Sequence, residues 1–495
     1  MVGLTDIPNE ILEYIFTFVS DVSHHTIFNI ILVNKHFGEI ARPLRVRHWS
    51  DNGFHDTYYR LASCPPISHL ALELLRHPEL RPRVRSLNFT NFQNDMDFMS
   101  DRITLRPENL ELLANAADEI LPDFSRSSNL RTTMLGGWDD ALAVLVIAWA
   151  TKLTSLSISI PYFDPDPETG PEPGLQEEML VLQYAKHLAQ QFGGDRIEAA
   201  KSLPLRNLHY LDFRHWDTEG HVESEYMTPF LHLPNLKSLQ AEMMGDEHGY
   251  FDTRLRAYVE DKYFMPTPTG TSSIESIVLR ETNLTNNGIS TLLRACRSLR
   301  AFHIDFAPVL YDEERDSQSL ARGLLRHAST IEKLVILVDG NSEFRFNDDA
   351  RDGRINLRDS YQHMKKLKRL TIPLEDLFDT SQVDGCEKKT FRIERVPTST
   401  EYLKLISSRI SWNWDLFLTE AQEFATGIVM LLKETGSSGR LCNLKILDLH
   451  EGLVDDPNFE SIAMAKSMAR ANGVTLKLKI IPKFPHPLGE SCASG

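Results

Sequence analysis

A short pattern, apolar-x-x-apolar-x-apolar, returns eleven times along this chain and constrains its fold more than any other feature. Clear copies read Val84-Arg85-Ser86-Leu87-Asn88-Phe89, Leu153-Thr154-Ser155-Leu156-Ser157-Ile158 and Leu208-His209-Tyr210-Leu211-Asp212-Phe213. Others stand at Leu236/Leu239/Ala241, Ile274/Ile277/Leu279, Leu299/Phe302/Ile304, Ile331/Leu334/Ile336, Leu367/Leu370/Ile372 and Leu444/Leu447/Leu449. Leu130/Thr133/Leu135 and Thr400/Leu403/Leu405 are divergent copies. Apolar and polar residues alternate within each copy, which is the period of a strand with one buried face. Before many copies stands an amphipathic helical stretch, such as Asp140–Ala150, Gly288–Cys296, Ser319–His327 or Ala421–Lys433. A helix-then-strand unit repeated this often is the mark of a stacked array, and an ordinary α/β domain with parallel strands is the other fold that yields it.

The unit resembles a leucine-rich repeat, whose motif is Leu-x-x-Leu-x-Leu-x-x-Asn/Cys-x-Leu. The best copy, Ile274 through Leu284, matches except that Thr282 replaces the Asn/Cys. In a regular array that side chain hydrogen-bonds the turn backbone, so its loss in most copies implies irregular packing. Steps between successive copies run from 23 to 55 residues, wider than the family's usual ~20–29 residues, so longer helices and inserted loops are expected. The expected fold class is α/β: an N-terminal helical module (residues 1–48), a helical linker or cap (49–83), then an irregular leucine-rich-repeat-like solenoid with parallel strands (84–481). Residues 164–175, with four Pro, two Gly and four acidic positions, predict a mobile loop, and Pro266–Gly270 another. Val474–Ile480 alternates like a final strand, and 482–495 predicts a flexible tail.

The first fifty residues read differently. Thr5 and Asp6, followed by Pro8 and Glu10, are helix-start chemistry. Apolar doublets at 7–8, 11–12, 15–16 and 18–19 then make a stripe wider than one core contact needs. A second apolar helix is expected near Thr26–Val33 and a short third from Asn34 to Ala41, with Phe37 and Ile40 facing inward and Pro43 as the stop. Three short helices cannot cover so many large apolar side chains. The surplus must bury against the rest of this chain or against a partner, at about 1.5–3 kcal/mol per large side chain.

Ile7-Pro8-Asn9-Glu10-Ile11-Leu12-Glu13-Tyr14-Ile15-Phe16, then Ile31-Leu32-Val33-Asn34-Lys35-His36-Phe37, then Ile40-Ala41-Arg42-Pro43-Leu44, resembles an F-box of the fungal style over residues 4–48. Ile7 stands where that family usually has Leu, and Phe37 where Trp is frequent. The resemblance implies docking on the Skp-type adaptor of an SCF ubiquitin ligase and, through it, on a cullin. The implied adaptor contacts are Ile7, Pro8, Ile11, Leu12, Ile15, Val33 and Phe37; the sequence does not separate those facing the adaptor from those facing the module's own core.

Other chemistry is sparse. The longest apolar run, Ala141–Ala150, is half the ~20 residues a spanning helix needs, so no membrane is expected. The start carries no basic segment followed by an apolar core, so no signal peptide is expected. The five cysteines are scattered, which reads as reduced thiols and a cytoplasmic or nuclear setting. A net charge of −16 argues against a nucleic-acid-coating role. Residues 1–48 carry only −1 of it, so the acidity lies downstream and suggests a target with basic character. No Walker loop, Rossmann fingerprint, His-Glu-x-x-His or Gly-x-Ser-x-Gly occurs, and neither cofactor nor metal is expected. Asp348–Asp359 half-matches a calcium loop but lacks its third ligand at Ala350. Trp412-Asn413-Trp414, in a strand-like stretch, reads as half core, with an aromatic grip as the alternative; His24-His25 lacks metal partners, and Lys365-Lys366-Leu367-Lys368-Arg369 is the one basic cluster, read as a solvated edge. The expectation is a non-catalytic substrate receptor of an SCF-type ubiquitin ligase, its array binding a protein target that the sequence does not name. An interaction scaffold without ligase function is the alternative.

Overall fold

The computed structural model describes residues 7–51, 67–89, 105–160, 179–192, 203–215, 222–246, 264–307, 317–338, 360–383, 386–406, 414–454 and 460–479. The chain divides into two compact units, residues 1–298 and 299–495. The Asp348–Asp359 motif, the acidic 164–175 segment, the tail from 482, and Thr5 and Asp6 lie outside the described residues.

The first unit opens with α1 (Asn9–Val22), α2 (His24–Val33) and α3 (Lys35–Ala41), then β1 (His48–Ser50), α4 (Ile67–Arg76) and β2 (Ser86–Phe89). A run of helices follows: α5 (Pro107–Ile120), α6 (Pro122–Ser127), α7 (Leu130–Leu135) and α8 (Asp139–Trp149). After them come β3 (Ser155–Ile160), α9 (Leu180–Phe192), β4 (Tyr210–His215), β5 (Val222–Glu223), β6 (Ser238–Glu242), β7 (Met244–Gly245), β8 (Ser276–Thr282) and the helix Asn286–Ala295. Strands β1, β2, β3, β4, β6 and β8 pair in that order, every pair parallel. The boundary expected at residue 48 falls inside this unit, at the first strand of its sheet.

The second unit repeats the scheme with β9 (Ala301–Phe306), the helix Ser317–Leu325, β10 (Lys333–Val338) and β11 (Arg369–Pro373). A hairpin, β12 (Phe378–Val383) and β13 (Cys386–Phe391), precedes β14 (Tyr402–Ile406), the helix Trp414–Lys433, β15 (Ile446–Val454), the helix Glu460–Ala471 and β16 (Thr475–Lys479). Strands β9, β10, β11, β14, β15 and β16 are again all parallel in that order.

Ten of the eleven copies become strands, and Val474–Ile480 yields β16. The middle apolar residue of each copy stacks in register, Leu87 on Leu156, Leu211, Leu239 and Ile277 in one unit, Phe302 on Leu334, Leu370, Leu403 and Leu447 in the other. All ten are fully buried. This apolar row is what a periodic sequence of this kind can bury only by stacking neighbours.

The Leu130 copy fails. It forms α7, burying Leu130 and Met134, which stand four apart on one helical face, while Leu135 is exposed. Trp414 opens a helix rather than lying in a strand, and Trp412 and Asn413 lie outside the described residues. The segment expected as a helical linker or cap (49–83) holds α4 and also the end of β1, whose three residues are too short to show a period.

The turns show what stands in for the missing Asn or Cys. Thr282 is fully buried and does the work of the absent Asn: its hydroxyl donates to the Met244 carbonyl at 2.8 Å and accepts from Leu284 N at 3.3 Å. Elsewhere the residue just before a copy reaches back to the preceding turn. Asn207 donates to Thr151 O (3.0 Å), Asn235 to Arg206 O (2.9 Å), Ser273 to Leu236 O (2.8 Å), Thr330 to Leu299 O (2.7 Å), Ser399 to Leu367 O (2.9 Å) and Asn443 to Thr398 O (3.0 Å). The turn carbonyls are thus satisfied without a regular motif, as buried backbone groups must be. The loop expected at Pro266–Gly270 is irregular chain, held by His232 Nε2 near Pro266 O at 2.9 Å.

Candidate partner-docking face

α1 to α3 are built from apolar spacing and, at α3, one side-chain cap. Leu12 and Phe16 on α1 meet Ile27 of α2 and Phe37 and Ala41 of α3, with Leu44 closing the cluster. The Phe16 and Phe37 rings meet edge to face, centroids 5.4 Å apart. Asn34 breaks the chain direction between α2 and α3 and caps α3, its Oδ1 accepting from Phe37 N at 2.8 Å. Gly38 lets these helices touch, since a Cβ there would come within 2.9 Å of Ile31 O.

The polar side of this bundle is tied into the first unit. Glu13 of α1 pairs with Arg83 at 2.5 Å, Arg45 pairs with Glu73 of α4, and Asp21 accepts from Arg47 at 2.6 Å and lies 2.8 Å from His48 Nε2. The Arg47 hydrogen bond holds the Asp21 carboxyl below the usual carboxylate range. His24 sits between Phe28 and His48, ring centroids 5.4 and 5.7 Å away, and burial, then the neighbouring His48 and His25, push its pKa down to about 4. Among the described residues no group of three His, Cys, Asp or Glu is placed to hold a metal ion, and no helix is long and apolar enough to cross a membrane.

The apolar side is left open. Ile11, Tyr14, Ile15, Phe18 and Val22 are 38–74% exposed and follow the i, i+3, i+4, i+7, i+11 spacing of one helical face. On α2, Phe28, Leu32 and Val33 are 46–82% exposed. These eight are more than half of the fourteen exposed large hydrophobics among the described residues. This concentration of exposed apolar side chains makes the face a candidate docking surface.

No protein-family model matches this chain, and no curated protein matches it. Among solved structures, the crystal structure of an internalin (inlF) from Listeria monocytogenes str. 4b F2365 is similar over 68% of this chain, at 12% sequence identity and a TM-score of 0.25. That match spans 65% of the internalin chain, less than two thirds of its length.

The seven residues named from sequence divide cleanly. Pro8, Ile11, Ile15 and Val33 are exposed, and Ile7 is half-buried against the core. Leu12 and Phe37 are interior to the bundle, packed in its apolar core. Tyr14, Phe18, Val22, Phe28 and Leu32 are also exposed and were not among the seven. On α1 the signal was present: positions 11, 14, 15, 18 and 22 lie within roughly 100° of arc at the ~3.6 residues per turn of a helix.

Proposed function

We propose that this chain is the substrate-recognition subunit of an SCF-type ubiquitin ligase. The stripe on α1 and α2 docks on a Skp-type adaptor, which links the chain to a cullin, and the strand-bearing units bind a protein target. One observation carries the reading: a contiguous apolar stripe stands exposed on the helices whose sequence resembles an F-box, while their polar side is spent on ion pairs inside the unit. Burying five or more such side chains at about 1.5–3 kcal/mol each is ample for a stable subunit contact, even after the entropy of association is subtracted. The chain's contribution is then proximity. It raises the effective concentration of target lysines near a charged carrier enzyme, and the transfer chemistry belongs to other subunits.

The test is co-purification of the full chain with a Skp-type adaptor. Wild type is expected to retain the adaptor and Ile11→Asp/Ile15→Asp to lose it while unfolding at an unchanged temperature. Retention by the double variant contradicts the reading. If the adaptor binds but no protein's lifetime lengthens when the chain is removed, the chain is a scaffold rather than a ligase subunit.

A further inference from the structure

Charged residues at the N-terminal ends of the strands are arranged as neutralising pairs. Lys237 meets Glu275 at 2.7 Å in the first unit; in the second, Lys368 meets Glu332 at 3.9 Å and Lys445 meets Glu401 at 2.6 Å. One place in the second unit departs from this order. Lys333 of β10 and Arg369 of β11 stand opposite each other in register, both exposed, on strands about 4.8 Å apart. The turn before β11 adds Lys365 and Lys366, exposed as well. None of the four makes an ion pair with a described residue; Arg369 contributes only a distant favourable field at Glu401.

Lys333 faces Arg369 across adjacent strands and Lys365 and Lys366 stand just before β11, and in a chain of net charge −16 such a set without described ion-pair partners is not a by-product of general basicity. Their chemistry selects among anions. Three are lysines, which act as separate point charges, whereas reading a single phosphate favours arginine forks. Among the described residues no stacking platform for nucleic-acid bases accompanies them: the exposed large aromatics, Tyr14, Phe18 and Phe28, are all on α1 and α2. We propose that Lys333, Lys365, Lys366 and Arg369 form a docking patch for an acidic, extended segment of a partner protein. This reverses, for one surface, the basic target suggested by the overall charge. It also stands apart from adaptor docking, which involves neither these residues nor their unit.

Fluorescence anisotropy of the full chain with a fluorescein-labelled peptide of alternating Glu and Gly tests it. Wild type is expected to bind, more weakly as salt rises. The fourfold variant Lys333→Gln/Lys365→Gln/Lys366→Gln/Arg369→Gln is expected to lose at least ~10-fold in affinity, while the control Arg126→Gln/Lys152→Gln changes it less than ~2-fold. All four side chains are exposed, so the variant keeps its unfolding temperature. No binding by wild type, equal binding by wild type and the fourfold variant, or tighter binding of a single-stranded RNA of the same charge, overturns the proposal. Because adaptor retention is read separately with Ile11→Asp/Ile15→Asp, failure of one reading leaves the other standing.

Discussion

α1 and α8 are both apolar helices of the first unit, and they meet opposite fates. From Ala141 to Trp149 every residue of α8 is buried, with α4, α7 and α9 packed around it and the Arg81 guanidinium 4.2 Å over the Trp149 ring. α1 buries only Leu12, Phe16 and Ser20 and turns five large apolar side chains to solvent. A helix that is apolar all round demands cover on every side and finds it within the fold. A two-faced helix needs cover on one side only, so its other apolar face is free to serve a partner. Apolar content states how much cover a helix needs; only the neighbours decide who supplies it.

That contrast can be broken by placing the same charge on each helix. Leu145→Asp is expected to cost more than about 4 kcal/mol, an uncompensated carboxylate being buried, and to unfold the unit in a urea titration. Phe18→Asp on α1 is expected to stay within about 0.5 kcal/mol of wild type. Equal losses would show that the stripe is core after all. Next in size, Leu403→Ala removes one member of the stacked row and should cost about 2–5 kcal/mol by urea midpoint, whereas Leu32→Ala should be nearly silent. Thr282→Val deletes a buried hydroxyl that both donates and accepts, for about 1–3 kcal/mol. Asn34→Ala loses the α3 cap, for about 1 kcal/mol.

The remaining effect is a slope rather than a step. The unfolded chain protonates His24 near the ordinary histidine value of 6.5, whereas the folded chain refuses that proton until about pH 4. The unfolded state therefore binds more protons across that window, and stability falls as the pH drops through it. His24→Gln is expected to flatten the stability–pH curve there; an unchanged slope would mean that His24 is solvated in the folded state.

Much of this architecture was legible because a strand pattern is local. Leu-x-x-Leu-x-Leu states its own period, and ten of the copies could be placed without knowing their neighbours. Leu130–Leu135 misled because three apolar residues in six also fit a helix, and the decisive spacing ran from Leu130 to Met134. The turn bonds from Asn207, Ser273 and Thr330 were hidden because they replace a known motif position with a residue upstream of it. The exposed apolar face of α1 and α2 was half legible. Its excess of apolar side chains showed in sequence, but assigning Leu12 and Phe37 to a partner required knowing that α2 and α3 already covered them. The cation patch needed register, because Lys333 lies more than thirty residues from Arg369 and joins it only across β10 and β11.

The central claim, that the α1–α2 stripe is a docking face for a Skp-type adaptor, is tested most directly by calorimetric titration of the full chain with purified adaptor at several temperatures. Saturable binding with a negative heat-capacity change, abolished by Phe18→Asp in a chain of unchanged unfolding temperature, is the predicted result. Absence of binding, or equal binding by the Phe18→Asp chain, would contradict it.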